Sequence, residues 1–186
     1  MKRRTWLLAG TGAAALVAGV AWQRGQESRR LQDLAAAGGA SAPEMATDPV
    51  AALWQMRFEQ PDGGTLDMAT LRGQPLLLNF WGTWCPPCIK EMPDLDRFAR
   101  QFGVQGWQVV GLAVDNVKAV REYLARTPVS YRIGMAGFEG SELSRHLGNQ
   151  QGGLPYTVAF DRQGKISHRK AGATTLEELS TWVTKA

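Results

Sequence analysis

Residues 81–93 of this chain read WGTWCPPCIKEMP and contain its only two cysteines, Cys85 and Cys88. Because there is no third thiol, any disulfide that forms within one molecule joins these two residues. A purely structural disulfide is the alternative, although closing so short a loop removes little chain entropy from the unfolded state. The pair predicts a dithiol/disulfide redox site.

The residues around the pair predict its chemistry. An apolar run of strand length covers residues 74–80, and residues 86–102 follow a helical spacing, so Cys85 is predicted at a helix N-terminus. Unpaired N–H groups and the helix dipole favour a thiolate there, and this position makes Cys85 the more exposed and more acidic thiol. Pro86 and Pro87 suit the first helical turn but remove two backbone N–H donors. We therefore expect only a modest lowering of the Cys85 pKa, and hence a reducing protein.

Two further segments accompany this motif. Residues 153–166 read GLPYTVAFDRQGKI, and residues 64–75 read GTLDMATLRGQP. With these three segments the chain, from about residue 45 to 185, resembles the TlpA/ResA-type thiol:disulfide oxidoreductases, redoxin-related and membrane-anchored proteins of bacteria. The resemblance implies an α/β thioredoxin fold, with a central mixed β-sheet flanked by helices, and a protein-disulfide reductase that needs no cofactor or metal ion.

Catalytic roles follow from the same resemblance. Cys85 would attack substrate disulfides, and Cys88 would resolve the mixed disulfide. Thioredoxin keeps a buried aspartate six residues before its first cysteine, where this chain has Asn79, which cannot titrate. The family's substitute position holds Glu91, one helical turn after Cys88, where a carboxylate can exchange protons with that thiol. The alternative is that Glu91 is a solvated acid near the helix start.

Substrate contacts are also implied by the resemblance. Trp84 and Pro86, on either side of Cys85, would contact the substrate. Leu154 and Pro155 would face them from a second loop, with Pro155 following a cis peptide bond. The alternative for Pro155 is an ordinary loop proline.

The remaining chain shows the alternation of strands and helices that suits a mixed sheet. Strands are predicted at residues 108–114, 131–135, 156–160 and 165–169, and helices at residues 117–126, 141–147 and 175–185.

The N-terminus predicts export or anchoring. Lys2, Arg3 and Arg4 precede an uncharged stretch over residues 6–22, which is long for a signal peptide and short for a spanning helix. We therefore interpret residues 1–24 as a signal or anchor segment, residues 25–48 as a linker and residues 49–186 as the thioredoxin-like domain. Whether the leader is cleaved or anchored in the inner membrane, the domain is expected on its periplasmic side.

The basic composition does not predict nucleic-acid binding. The formal net charge is +4, but residues 1–30 hold six of the 21 basic residues and one of the 17 acidic ones. The rest of the chain carries 15 basic and 16 acidic residues. The basicity belongs to the leader, and no basic stripe suited to phosphates remains.

Two function classes remain open. The first is an extracytoplasmic reductase of selected protein disulfides, with cytochrome c biogenesis among the family's processes and a membrane thiol donor as electron source. The second is a Cu(I)-handling protein, since soft thiolates suit that ion. Copper-handling relatives add a distant histidine near the pair, whereas His146 and His168 lie outside the three motifs.

Overall fold

The computed structural model describes residues 48–183. The predicted signal or anchor segment at residues 1–24 lies outside the described residues, as does the predicted linker apart from Asp48. Within the described part of the chain, no helix is both long and apolar enough to cross a membrane.

Strands and helices alternate along most of the described chain. The strands are β1 (Arg57–Glu59), β2 (Thr65–Asp67), β3 (Leu76–Trp81), β4 (Gln108–Ala113), β5 (Arg132–Met135), β6 (Tyr156–Phe160) and β7 (Ile166–Ala171). The α-helices are α1 (Pro49–Leu53), α2 (Pro86–Phe102), α3 (Val117–Arg126), α4 (Gly140–His146) and α5 (Leu176–Val183). Short 3₁₀ helices cover Met68–Leu71 and Gly103–Gln105.

The strands form one mixed sheet in the order β2-β1-β5-β4-β3-β6-β7. β4 runs parallel to both β3 and β5, whereas β6 is antiparallel to β3 and to β7. Helices pack against this sheet, so the predicted architecture of a central mixed sheet flanked by helices is confirmed.

Strand β3 lies inside the sheet, and all six of its residues are buried. Because side chains alternate along a strand, Leu78 and Phe80 enter the apolar cluster on one face, and Leu77 and Trp81 enter the cluster on the other. The second face packs against α2 and α5, and we call it the α2 face. Asn79 lies two residues from Leu77 and from Trp81, so its polar side chain shares the α2 face with them.

The predicted elements agree with the structure except at their ends and near the N-terminus. Helix α2 spans residues 86–102 as predicted, while α4 begins one residue earlier than predicted and β7 ends at Ala171 rather than residue 169. The short elements α1, β1 and β2 were not predicted, because three to five residues are too few to show a period. Helix α1 is capped by Asp48, whose side chain accepts from the N–H groups of Val50 and Ala51 at 3.0 Å each.

Candidate active site

The two cysteines are joined in a disulfide at the start of α2, with their Cα atoms 5.3 Å apart. Cys85 is the N-cap residue, and its carbonyl accepts from the N–H of Ile89 at 3.2 Å. Pro86 and Pro87 occupy the first two helical positions, which carry no N–H. In the first three positions of the helix, only Cys88 has a backbone donor to offer a thiolate at Cys85.

Both cysteines are buried in the disulfide form. Cys85 is 3% exposed and Cys88 is 0% exposed. Both belong to the apolar cluster of the α2 face, together with Trp81 and Met92. The expected contrast between an exposed Cys85 and a shielded Cys88 is therefore small in this oxidation state, and its test lies in the reduced protein.

A carboxylate braces the loop that leads into the cysteines. Asp115, just after β4, accepts from the N–H and the hydroxyl of Thr83 at 2.8 and 2.6 Å. The indole Nε1 of Trp84 donates to the carbonyl of Val114 at 3.1 Å, while the ring remains 59% exposed. A Cβ at Gly82 would lie 2.7 Å from that Nε1, so the indole position requires glycine there. Trp84, which directly precedes Cys85, is thus held by its indole N–H with its ring exposed.

The second predicted loop approaches the same cluster. The peptide bond between Leu154 and Pro155 is cis. Pro155 is buried, and Leu154 is partly buried against the cluster that contains both cysteines. The carbonyl of Pro155 accepts from the N–H of Gly172 at 2.9 Å, and Asn149 Nδ2 donates to the carbonyl of Gly153 at 2.8 Å. These bonds fix the backbone on both sides of the proline.

Glu91 is enclosed rather than solvated. Glu91 is 2% exposed, and its Oε1 accepts a hydrogen bond from Asn79 Nδ2 at 2.7 Å. Its Oε2 accepts from the N–H of Thr174 at 2.7 Å and from the hydroxyl of Thr174 at 3.1 Å. Burial raises the pKa of Glu91 above its ordinary 4.5, and the three donors and the charge of Lys170 offset part of this rise. The alternative that Glu91 is a solvated acid at the helix start is wrong.

A row of polar residues crosses the sheet beneath Glu91. Asn79 on β3 faces Thr157 on β6, and its Nδ2 donates to the Thr157 hydroxyl at 3.0 Å. Thr157 in turn faces Lys170 on β7, whose Nζ donates to both carboxylate oxygens of Glu178 at 2.7 and 2.8 Å. Asn79 Oδ1 is buried and has no hydrogen-bond partner among the described residues. The row links the buried carboxylate to a partly exposed ion pair.

The structure places Pro86, Cys88 and Glu91 in the first two turns of α2, directly after Trp84 and Cys85. Leu154 packs against the large apolar cluster that includes both cysteines, and Pro155 follows it in the cis peptide. Sequence analysis missed Thr174, Lys170 and Asp115. Only Asp115 carried a signal, since a carboxylate directly after a buried parallel strand lies at the edge of the sheet where α2 begins. Thr174 and Lys170 have no local pattern that points to Glu91.

Neither histidine belongs to α2 or to the loop that contains Pro155. His146 is exposed at the end of α4, and His168 on β7 stacks on Trp182 of α5 with ring centroids 5.1 Å apart. Within residues 48–183 no group of three or more His, Cys, Asp or Glu side chains is arranged to hold a metal ion.

Comparisons with known proteins agree with this geometry. The model of the family described as Redoxin matches residues 37–183. Among curated proteins, the thiol-disulfide oxidoreductase ResA of Bacillus cereus is 28% identical over 126 residues, which cover 67% of this chain and 70% of ResA. The thiol:disulfide interchange protein DsbE of Yersinia pestis is 41% identical over 127 residues, which cover 67% of this chain and 63% of DsbE.

Solved structures show the same fold. A thiol:disulfide interchange protein of the thioredoxin family from Chlorobium tepidum superposes with a TM-score of 0.62 and 28% identity, covering 70% of this chain and 92% of its own. The dsbF protein of MTB gives a TM-score of 0.61 and 25% identity, covering 72% of this chain and 96% of its own. The predicted thioredoxin fold is confirmed.

Proposed function

Because the chain belongs to the Redoxin family, as a thiol-disulfide oxidoreductase of the ResA and DsbE type, we propose that it reduces selected protein disulfides through Cys85 and Cys88. The observation that carries this proposal is the buried Glu91, one helical turn beyond Cys88, with a pKa raised by burial. A carboxyl group whose pKa is moved toward the working pH can both accept and return a proton.

The proposed reaction has two thiol–disulfide exchanges. The Cys85 thiolate attacks one sulfur of the substrate disulfide, the substrate S–S bond breaks, and the departing sulfur takes a proton. Cys88 then gives its proton to the Glu91 carboxylate, and its thiolate attacks the Cys85 sulfur of the mixed disulfide. The second substrate sulfur leaves as a thiolate and takes a proton, so the two electrons lost by the Cys85–Cys88 dithiol now lie in the reduced substrate dithiol. Glu91 passes its proton on before the next cycle.

The direction of transfer follows from the first turn of α2. Pro86 and Pro87 deprive a Cys85 thiolate of two N–H donors, which leaves Cys88 as the sole donor in that turn. A less stabilised thiolate makes the reduced form less favourable relative to the disulfide. We therefore place the reduction potential nearer thioredoxin's value of about −270 mV than the value of about −120 mV typical of a strong oxidant.

Location, partners and substrate contacts complete the proposal. Residues 1–24 would export or anchor the chain and residues 25–48 would tether the domain on the periplasmic side of the inner membrane. An oxidising compartment requires a membrane thiol donor to return the protein to its reduced form. Disulfides of proteins in cytochrome c biogenesis are the substrate class favoured by the family. Trp84, Pro86, Leu154 and Pro155 would contact the substrate chain.

Two measurements test this proposal. Replacing Cys88 with serine blocks resolution, so a substrate should remain attached to Cys85 and become identifiable by mass spectrometry; the Cys85→Ser variant is the matched control and should retain nothing. Equilibration of the wild-type protein with glutathione buffers gives the potential. A value above about −180 mV, the isomerase range, contradicts the reductase role.

A further inference from the structure

The segment between β7 and α5 delivers two donors to one oxygen of Glu91, from 83 residues away in the chain. Thr174 is 2% exposed, and both its N–H and its hydroxyl meet Glu91 Oε2. We propose that Thr174 is a positioning residue for Glu91, which fixes the orientation of the carboxylate and sets the pH at which it accepts a proton. This inference rests on the proposed reductase function and adds to it a residue outside the cysteine motif.

Thr174 is held in place independently of Glu91. On one side, the N–H of Gly172 donates to the carbonyl of Pro155. On the other side, the Thr175 hydroxyl accepts from the N–H of Glu178 at 3.3 Å, and the Thr175 carbonyl accepts from the N–H of Leu179 at 3.0 Å. The segment is therefore anchored to the cis-proline loop and to the start of α5. Donors fixed in this way favour the ionised carboxylate without any reorganisation when the proton leaves.

The remaining groups around Glu91 act on it from other elements. Asn79 of β3 binds Oε1, so the two carboxylate oxygens have separate donors. Lys170 of β7 contributes a positive charge, which is shared with Glu178. Tyr131, just before β5, interacts with Glu91 electrostatically, but burial raises its pKa far enough that the phenol stays neutral. Cys88 lies one turn earlier on α2 itself.

Among these groups, the Thr174 hydroxyl can be removed while two other hydrogen bonds to the carboxylate remain. Its backbone N–H remains as a second bond to Oε2, and Asn79 still holds Oε1. Loss of the hydroxyl therefore destabilises the ionised Glu91 carboxylate more than the protonated carboxyl, because hydrogen bonds to a buried charge are stronger than those to a neutral group. Glu91 would then keep its proton to higher pH and serve as a proton acceptor over a narrower range.

The test compares three variants of the full chain. Thr174→Val and Thr174→Ala remove the hydroxyl, with valine nearly preserving the side-chain shape, whereas Thr174→Ser keeps the hydroxyl as the matched control. The titration of Glu91 is followed in the reduced protein by the ¹³C signal of its side-chain carboxyl, assigned with Glu91→Gln. Disulfide reduction is measured across the same pH range. We expect Val and Ala to raise the pKa of Glu91 and to lower the rate on the acidic limb of the profile by about three- to tenfold, with Ser unchanged.

Each outcome has a distinct consequence. A folded Val or Ala variant in which Glu91 titrates as in the wild-type protein overturns the role of Thr174, as does a Ser variant that shifts as far as Val. A shifted Glu91 titration with an unchanged rate profile supports Thr174 as the positioning residue and instead rejects the proton transfer through Glu91 in the proposed function.

Discussion

The cysteine side and the carboxylate side of this site differ in how far along the chain their parts are spread. The cysteine side consists of residues 82–88, braced by a single distant carboxylate at Asp115. The carboxylate side consists of Glu91, whose donors lie 12 residues away at Asn79 and 83 residues away at Thr174. Both sides meet on the α2 face of the sheet, yet one is nearly continuous in sequence and the other is assembled by the fold.

The difference reflects what each group needs. A thiolate at a helix N-terminus is stabilised by backbone groups of the same helix, so a short motif supplies its environment. A buried carboxylate needs hydrogen-bond donors for both of its oxygens, because its desolvation costs several kcal/mol unless it is paired. Such donors must come from several elements at once. Local sequence therefore specifies the nucleophile, and tertiary structure specifies the group that handles its protons.

The largest effect is expected from breaking the cysteine side itself. Replacing Cys85 with serine removes the attacking thiolate, and turnover of disulfide substrates should fall by about 10³-fold or more. Steady-state reduction of a protein disulfide measures this loss. If Cys85→Ser turned over at a rate comparable to wild type while Cys88→Ser did not, the assignment of nucleophile and resolving cysteine would be reversed.

A smaller loss is expected from breaking the carboxylate side alone. Glu91→Gln keeps the shape of the side chain but cannot take the Cys88 proton, and turnover near neutral pH should fall by about 10²-fold. Alkylation of Cys85 in the reduced protein should change little, because the start of α2 is untouched. Equal losses in turnover and in Cys85 alkylation would show that the two sides are not separable.

Removing the distant support of the cysteine side should cost stability. Asp115→Ala leaves the N–H and hydroxyl of Thr83 without their acceptor in a partly buried loop, so the free energy of unfolding should fall by about 2–3 kcal/mol. Asp115→Asn keeps one acceptor oxygen and should lose less. Denaturant unfolding of the oxidised protein measures both variants. A loss of less than about 0.5 kcal/mol for Asp115→Ala would mean that residues 82–88 keep their conformation without the carboxylate of Asp115.

The smallest expected effect is a pH dependence that belongs to the carboxylate side. The pKa of Glu91 is about 4.5 in the unfolded chain and is raised in the folded chain. Between the unfolded-state pKa and the folded-state pKa, the folded chain therefore binds more protons than the unfolded chain. The contribution of Glu91 to the free energy of unfolding therefore decreases as pH rises through that window and is constant above it. Glu91→Gln lacks this slope.

Unfolding of both proteins across the window tests the sign. The advantage of wild type over Glu91→Gln should shrink as pH rises from about 4.5, the ordinary pKa of a glutamate. An advantage that grew with pH would mean that the donors from Asn79 and Thr174 outweigh burial, and that the pKa of Glu91 is lowered.

The parts of the molecule that could be predicted from sequence are those that a continuous segment specifies, as on the cysteine side. Helix α2 was predicted to the residue, because its prolines, its spacing and its terminal glycine all lie within the segment. Strand β6 was also predicted to the residue, whereas the apolar run at residues 74–80 began and ended earlier than strand β3, which spans Leu76–Trp81. Strands β1 and β2 were missed, because three residues show no period.

Within the site, Asn79 shows why the contacts of Glu91 could not be predicted from sequence. The sequence shows that its amide cannot titrate, and it was interpreted only as the loss of a carboxylate. In the fold its Nδ2 donates to Glu91 and to Thr157, so that it holds in place the group that substitutes for the missing carboxylate. That function depends on a strand register and on the approach of α2, and neither is encoded near residue 79.

The distance of 83 residues between Glu91 and Thr174 also orders events in time. A ribosome that adds about 5–20 residues per second completes the cysteine motif roughly 4–17 s before it reaches Thr174. Throughout that interval, and in any chain cut short before residue 174, the dithiol exists with Asn79 but without the two donors that Thr174 supplies to the neighbouring carboxylate. The set of donors around Glu91 is therefore completed late in synthesis, only after residue 174 has been added.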